Sequence, residues 1–199
     1  MLSVIPLCMG ERFNVMSAKD RVRWDTFFRK SASQPYPAPD PLLLQFTPTA
    51  APEARALDLC GGLGQNGLWM ANQGYAVDVV DISRVALNRA RLEMMMRNLR
   101  SVNLLPVDVD GLSLEADTYD IICVFRYLRR DWFEMLKAAI KPGGRLIYET
   151  YNRRYLDVVP GFNQAFLLAP NELCEYFRDW QMIHWEEEGH NTRMVAVRP

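Results

Sequence analysis

The sequence predicts an α/β fold in which a mostly parallel sheet is covered by helices on both faces, and three observations carry that prediction. The stretch Ala56-Leu57-Asp58-Leu59-Cys60-Gly61-Gly62-Leu63-Gly64-Gln65-Asn66-Gly67 reads as a hydrophobic strand, a glycine-rich turn and the start of a helix continuing through Leu68, Trp69, Met70 and Ala71. A second strand, Ala76 to Val80, follows that helix and ends in Asp81. Further on, Tyr119 to Phe125 is nearly continuous apolar sequence, the pattern of a parallel strand buried on both faces. A chain of 199 residues suits one domain with a sizeable core.

Taken in order, residues 1–16 read as a flexible N-terminal extension, with Met16 as an alternative start. Ser17 to Arg29 reads as a helix with apolar positions at Val22, Trp24, Phe27 and Phe28 and Ser17 as its cap. Gln34-Pro35-Tyr36-Pro37-Ala38-Pro39-Asp40-Pro41 then places four prolines in seven residues, which forbid helix and strand ladder alike and give a stiff, extended loop. That loop reads either as a cover across a pocket or as a plain linker. After the second strand, Ser83 caps a helix through Arg97, whose buried side is Val85, Ala86, Leu87, Ala90, Leu92, Met94 and Met95. The run Met94 to Met96 reads as core filler.

A third strand, Val102 to Val107, ends at Asp108 in a turn-forming Asp108-Val109-Asp110-Gly111. The apolar strand then delivers Phe125-Arg126-Tyr127 to the carboxyl edge of the sheet, outside which ligands of open α/β sheets bind. Asp131 reads as the cap of a helix from Trp132 to Ile140, followed by the turn Lys141-Pro142-Gly143-Gly144 and a strand from Arg145 to Thr150. Residues 151–169 are loop-like or partly helical, with a turn at Pro160-Gly161. Pro170 opens a helix through Phe177, and the strand-like runs Gln181 to Glu187 and Thr192 to Val197 close the chain as a hairpin.

The chemistry starts at the glycine turn, where backbone N–H groups and a helix N-terminus can approach a ligand closely. Gly62-x-Gly64-x-x-Gly67 also satisfies the dinucleotide fingerprint, so NAD is weighed against S-adenosylmethionine. Two observations favour the latter. Asp58 stands at the strand's end, where a carboxylate suits a cationic ammonium or sulfonium and repels a pyrophosphate. Only 14 positions (81 − 67) separate Gly67 from Asp81, short for the dinucleotide version. The Asp81 carboxylate can accept two hydrogen bonds from a ribose diol, which either cofactor offers.

The run Leu57-Asp58-x-Cys60-Gly61-x-x-Gly64-x-Asn66-x-Leu68-x-x-Ala71-x-x-Gly74-Tyr75-x-Val77-x-x-Val80-Asp81-x-Ser83-x-x-Ala86-Leu87 resembles the class I S-adenosylmethionine-dependent methyltransferases. It is most similar to the branch that includes the tellurite-resistance (TehB-type) enzymes, and the resemblance extends over residues 20–198. Most of that superfamily has glycine where Cys60 stands, the tellurite-resistance branch usually has alanine, and arginine is common where Gln65 stands. The resemblance implies a Rossmann-like three-layer sandwich whose seven-stranded, mostly parallel sheet has the order 3-2-1-4-5-7-6 and ends in an antiparallel C-terminal hairpin. It implies a single class I methyltransferase domain over 17–199, with 17–48 as an N-terminal helix and Pro-rich cover segment. It also matches the turn Lys141 to Gly144 with its following strand, a recurrent feature of these enzymes. The implied cofactor is S-adenosyl-L-methionine, contacted by Asp58, Cys60, Gly61, Gly62, Gly64, Asn66, Asp81, Ile82, Asp108, Val109 and Phe125. In that set Asp108 accepts from the adenine amine and the Val109 N–H donates to the ring.

On the acceptor side, Arg126 beside Tyr127 suits a small anion or polarisable nucleophile, since guanidinium pairs with oxyanions bidentately. The plainer alternatives are an Arg126–Glu149 salt bridge and Tyr127 as core. Glu149 and Tyr36 complete the acceptor-pocket candidates, and no residue is assigned as catalytic, because an anionic or thiolate acceptor needs positioning rather than a general base. The Asn/Asp-Pro-Pro-aromatic tetrapeptide that commonly holds exocyclic amines is replaced by Phe125-Arg126-Tyr127-Leu128, which argues against base or glutamine N-methylation. The expected function is methyl transfer to a small-molecule acceptor such as a thiol or oxyanion. The alternatives are an RNA or protein methyltransferase and a non-catalytic S-adenosylmethionine- or S-adenosylhomocysteine-binding module.

Composition narrows the partners. A net charge of −1 gives no nucleic-acid signal, although Arg126, Arg129, Arg130, Arg153 and Arg154 form a local basic set that reads as solvated charge or as a guide for an anion. No apolar run approaches the ~18 residues that span a bilayer. Four dispersed cysteines and two histidines, His184 and His190, carry no zinc-ligand spacing, so no metal is expected. The first ten residues lack a basic n-region and a cleavage site, and the expected location is the cytoplasm.

Overall fold

In the computed structural model, which describes residues 16–199, strand and helix alternate as the sequence patterning requires. The expected extension over 1–16 lies outside the described residues, save Met16. In chain order the elements are α1 (Met16–Lys30), α2 (Pro41–Phe46), β1 (Arg55–Leu59), α3 (Gln65–Asn72), β2 (Ala76–Asp81), α4 (Arg84–Met96) and β3 (Val102–Pro106). They continue as β4 (Tyr119–Phe125), α5 (Phe133–Ala139), β5 (Ile140–Tyr151), α6 (Glu172–Tyr176), β6 (Gln181–Glu188) and β7 (Asn191–Val197). The sheet order is β3-β2-β1-β4-β5-β7-β6, with β7 antiparallel to both of its neighbours. Among the described residues no helix is long and apolar enough to cross a membrane.

The chain divides into two compact units. One joins Thr49–Glu115 to the described residues through Asp40; the other joins Pro41–Pro48 to Ala116–Pro199. In the first unit β1, β2 and β3 pair in parallel, with Leu57 opposite Asp78 and Val79 opposite Leu104. Leu57, Leu59, Val77, Val79, Val80, Leu68 and Met70 are fully buried there, and burial of each such side chain is worth about 1.5–3 kcal/mol. Asp78 sits buried mid-strand and is neutralised laterally: Arg55 pairs with it at 2.9 Å and the Asn103 amide donates at 2.7 Å. A buried carboxylate is tolerated when it is paired and hydrogen-bonded in this way.

In the second unit β4 and β5 pair in parallel, and β5, β7 and β6 pair antiparallel. Successive side chains point to opposite faces, so Tyr148 faces Phe133 of α5 (rings 6.0 Å apart), while the neighbouring row through Ile147 and His184 faces Phe46 of α2 (4.8 Å). That unit is therefore layered helix, sheet, helix. Cys123 lies fully buried inside β4, where a nucleophile has no access.

Several sequence expectations are corrected. α1 begins at Met16, so Ser17 lies within the helix rather than at its cap, and Val22 and Phe27 of its apolar set are exposed. The Pro-rich segment lacks regular structure over 35–40 as expected, but Pro41 opens the short α2, its fixed φ suiting a first helical position. In α4, Ser83 is the cap, accepting from the Ala86 N–H at 3.1 Å. The buried face is narrower than expected, limited to Ala86, Leu87 and Ala90, while Leu92, Met95 and Met96 are 62%, 67% and 75% exposed. Consecutive residues are rotated by about 100° around a helix, so Met94, Met95 and Met96 cannot share one buried face. Asp131 does not cap α5: it lies in a 3-10 turn, Arg130–Trp132, and pairs with Arg129 at 3.0 Å. The turn Lys141 to Gly144 is an excursion within β5, between the pairs Tyr119–Ile140 and Ile121–Arg145.

Gly144 closes that excursion with no room for a side chain. A Cβ there would lie 2.7 Å from Ile140 Cγ2, 2.9 Å from the Lys141 carbonyl and 3.0 Å from the Asp120 carbonyl. Two of those three neighbours are backbone and cannot swing away, so Gly144→Ala is expected to cost about 1–3 kcal/mol. Urea unfolding reads this as a lower midpoint at unchanged slope.

Candidate functional site

The carboxyl edge of β1 and β2 in the first unit gathers most of the sequence candidates. Asp58, 1% exposed, lies beneath the glycine turn and accepts the Gly67 N–H at 2.8 Å. The turn folds directly over that carboxylate: a Cβ on Gly61 would come within 2.7 Å of the Asp58 carboxyl carbon, and one on Gly67 within 2.4 Å of Val79 Cγ2. Asp58 thus shapes the turn from below and sets a negative charge under it. Cys60 holds φ +56, a left-handed conformation disfavoured for residues with a side chain, which accounts for the glycine common at this position. Gly64 closes the turn, donating to the Gly61 carbonyl at 2.8 Å, and its own carbonyl receives the Leu68 N–H at 2.8 Å as α3 starts.

Asp81 is the second buried carboxylate. One oxygen accepts the Gly62 N–H and the other the Ser83 N–H, both at 2.8 Å. The Ile82 N–H adds a third backbone hydrogen bond to the same carboxylate. Burial pushes the Asp81 carboxyl above the usual aspartate range, against the lowering effect of those backbone hydrogen bonds. Ile82 lies between Asp81 and Ser83 in the loop that enters α4.

The Pro-rich segment lies on this turn and is fastened to it. The Tyr36 hydroxyl donates to the Leu63 carbonyl, and burial pushes its pKa up, keeping the proton in place. The Asp40 N–H donates to the buried Asn66 side chain at 2.8 Å. From α4, Arg89 donates to the carbonyls of Ser31 (3.1 Å) and Gln34, and the guanidinium carbons of Arg89 and Arg97 stand 5.9 and 5.3 Å from the Tyr36 ring centroid. Tyr36 and Asn66, expected in acceptor and cofactor pockets, are engaged as clamps between cover segment and turn. Two residues that sequence reasoning missed come from α1. Phe28 lies against Gly62, and Asp25 accepts from the Ser83 hydroxyl at 2.7 Å and from the Val85 N–H at 3.2 Å. Their i, i+3 spacing is the signal that places both on one helix face.

Asp108 caps a 3-10 turn, Val109–Gly111, by accepting the Asp110 N–H at 3.1 Å, the turn geometry that Asp-Val-Asp-Gly suggested. Val109 is buried just behind it.

In the second unit, Phe125 ends β4 buried, and Arg126 follows with φ +59, exposed, its N–H donating to the Glu149 carbonyl at 2.7 Å. The Tyr127 ring stacks on Trp132 at 5.1 Å, and its carbonyl accepts from the Tyr148 hydroxyl at 2.8 Å. The buried Glu149 carboxylate pairs with Arg193 of β7 at 2.7 Å, and Arg193 also reaches Glu186 of β6 at 2.9 Å. The row Glu149, Arg193 and Glu186 follows from the cross-strand register; Arg193 was missed because that register is invisible in one strand alone. Its hydrogen bond to Glu149 raises the Arg193 pKa, and Arg193 in turn lowers that of Glu186. Arg130 is structural: it pairs with Glu172 and donates to the carbonyls of Ala165 (2.7 Å) and Leu167 (2.9 Å). Tyr151, the last residue of β5, stacks on Tyr155 at 4.0 Å, with His190 beside them.

Comparison with known proteins places this geometry in context. The model of the family described as "Methyltransferase domain" matches residues 32–196. A ubiquinone biosynthesis O-methyltransferase of Coxiella burnetii is 30% identical over 141 residues, covering 65% of this chain and 59% of that protein. The probable S-adenosyl-L-methionine-dependent methyltransferase TehB of Haemophilus influenzae is 28% identical over 149 residues, 69% of this chain and 51% of that protein. The chain therefore spans only about half to three-fifths of the length of these relatives. The crystal structure of TehB from Haemophilus influenzae superposes with a TM-score of 0.71 at 20% identity, covering 88% of this chain and 67% of that one, and so shares the fold. The expected likeness to the tellurite-resistance branch is met in sequence and in fold.

The departure from glycine at Cys60 has a measurable cost. Cys60→Gly removes the left-handed strain at φ +56 and is expected to stabilise the chain by about 0.5–1 kcal/mol after the entropic cost of glycine is subtracted. Thermal unfolding reads the change as a raised midpoint.

Proposed function

The chain belongs to the methyltransferase-domain family, and from that premise we propose that it is a cytoplasmic enzyme that uses S-adenosyl-L-methionine to methylate a small-molecule acceptor, with residues 17–199 acting as one domain. The observation that carries this reading is the pair of buried carboxylates at the ends of β1 and β2, with a glycine-rich turn between them that has no room for a side chain at Gly61 or Gly67. The residues of the first unit fit this cofactor. The ionised Asp81 carboxylate suits the hydroxyls of a ribose, and the Asp58 charge beneath the turn favours a cationic ligand over a diphosphate. Gly61, Gly62 and Gly64 let the ligand approach the turn closely with Cys60 and Ile82 beside it, Asn66 holds the cover segment over them, and Asp108 and Val109 offer an acceptor and a donor for adenine. Bound there, S-adenosylmethionine supplies a methyl group on an electrophilic sulfonium.

The chain's own contribution is to bind, orient and exclude water, which removes much of the barrier to an in-line displacement. At the edge of the second unit, the exposed Arg126 offers a guanidinium to an acceptor that reacts as an oxyanion or thiolate. Glu149 is taken up by Arg193, which favours an acceptor that arrives ionised over one deprotonated by that carboxylate. The relative named for O-methylation supports oxygen as the nucleophile. Transfer of labelled methyl from S-adenosylmethionine into small hydroxylated, thiol and oxyanion compounds tests the reading. Label in the small-molecule fraction supports it; label only in RNA or protein, or none in any fraction despite cofactor binding, overturns it.

Asp81→Ala is expected to weaken S-adenosylmethionine binding by about 1–3 kcal/mol, the cost of leaving polar ligand groups unpaired. The pH dependence carries its own signature. The ribose needs the ionised Asp81, and burial raises the pKa of that carboxyl in the unliganded protein. Affinity is therefore full above the raised value and falls as pH drops through it, beginning at a higher pH than for an ordinary aspartate. Calorimetric titration at stepped pH checks this, with Asp81→Asn expected to flatten the profile.

A further inference from the structure

We infer that Asp25 of α1 is a positioning residue for the cofactor's ribose: it holds Ser83, and through Ser83 the Asp81 carboxylate, in the orientation the sugar diol requires. This rests on the reading of Asp81 as the ribose partner.

At the N-terminus of α4 the first N–H groups have no partners within the helix. Ser83 serves one of them, accepting the Ala86 N–H at 3.1 Å. The Val85 N–H is served from outside the helix, by Asp25 at 3.2 Å. The same Asp25 oxygen receives the Ser83 hydroxyl proton at 2.7 Å. A hydroxyl has a single proton, so donating it to Asp25 turns the oxygen lone pairs of Ser83 toward Ala86. The residue is then fixed at both ends, and its backbone N–H is aimed at Asp81 at 2.8 Å.

The second oxygen of Asp81 is held by the Gly62 N–H at 2.8 Å, and α1 supports that donor too. One helical turn beyond Asp25, Phe28 lies so close to Gly62 that a Cβ on the glycine would meet its ring at 3.1 Å. Two of the three backbone donors that orient Asp81, those of Ser83 and Gly62, are thus buttressed by the same face of α1. A carboxylate at the N-terminus of a helix is favourably placed. Desolvation works against the charge of Asp25, but the hydrogen bonds from Ser83 and Val85, with Arg29 and Arg21 nearby, outweigh it and hold the carboxyl below its ordinary range.

A double-mutant cycle separates positioning from general support of the fold. S-adenosylhomocysteine is titrated calorimetrically into the wild type, Asp25→Ala, Asp81→Ala and the double variant, with unfolding midpoints recorded alongside. Asp25→Ala is expected to weaken binding about fivefold, the scale of a lost cap, and Ser83→Ala, which breaks the relay with Asp25 left in place, to do the same. In the Asp81→Ala background, Asp25→Ala is expected to add nothing. Asp25→Asn keeps an oxygen acceptor and is expected to restore near wild-type affinity. Unchanged affinity in both Asp25→Ala and Ser83→Ala, or a full additional loss in the double variant, overturns the inference while leaving Asp81 as the ribose partner. Unchanged affinity in Asp81→Ala alone overturns the ribose reading, and this inference with it.

Discussion

The first unit is organised around a carboxylate that serves two loops at once. Asp81, at the end of β2, accepts one N–H from the turn after β1 and another from the loop that enters α4. Taking that charge out of water is costly unless its oxygens are satisfied, so the two loops cannot drift apart without exposing an unpaired acceptor. The parallel register of β1 on β2, with Leu59 opposite Val80, brings Asp81 level with the turn. The helix start at α4 and the buttress from α1 both meet at this alignment.

Asp58 plays the complementary part from below. Its carboxylate fills the space under the turn, which is why Gly61 carries no side chain, while Val79 of β2 excludes one at Gly67. The turn is then closed from above by the clamps of Tyr36 on Leu63 and of Asp40 on Asn66. Between a charge beneath and a proline-stiffened segment above, the turn is held in shape before any ligand arrives, so little ordering entropy is lost on binding.

What was legible in the sequence was local. The glycine turn, the acids that flank it, the Ser83 cap and the apolar β4 each declare themselves within a few residues, because glycine geometry, capping and strand burial are decided by near neighbours. The sheet order was legible through family resemblance, since the Asp58-to-Asp81 motif and the turn Lys141 to Gly144 belong to one topology. What escaped depended on partners distant in sequence. Nothing near Glu149 shows that Arg193 will pair with it, or near Arg130 that Glu172 will claim it. Asp25 reads as an ordinary helix-surface acid until α1 is laid on α4. The methionines of α4 depart from the core for another reason: hydrophobicity alone does not decide burial, and Met95 and Met96 in the last turn of that helix are exposed.

Amide hydrogen exchange with and without S-adenosylhomocysteine tests most directly whether the two carboxylates and the turn between them form a methyl-donor site. Saturation with that ligand is expected to slow exchange at the turn, 61–67, and at the entry to α4, 81–86, while NAD at the same concentration leaves both segments unchanged. Protection of those segments by NAD, or saturation with S-adenosylhomocysteine that leaves them exchanging as before, contradicts it.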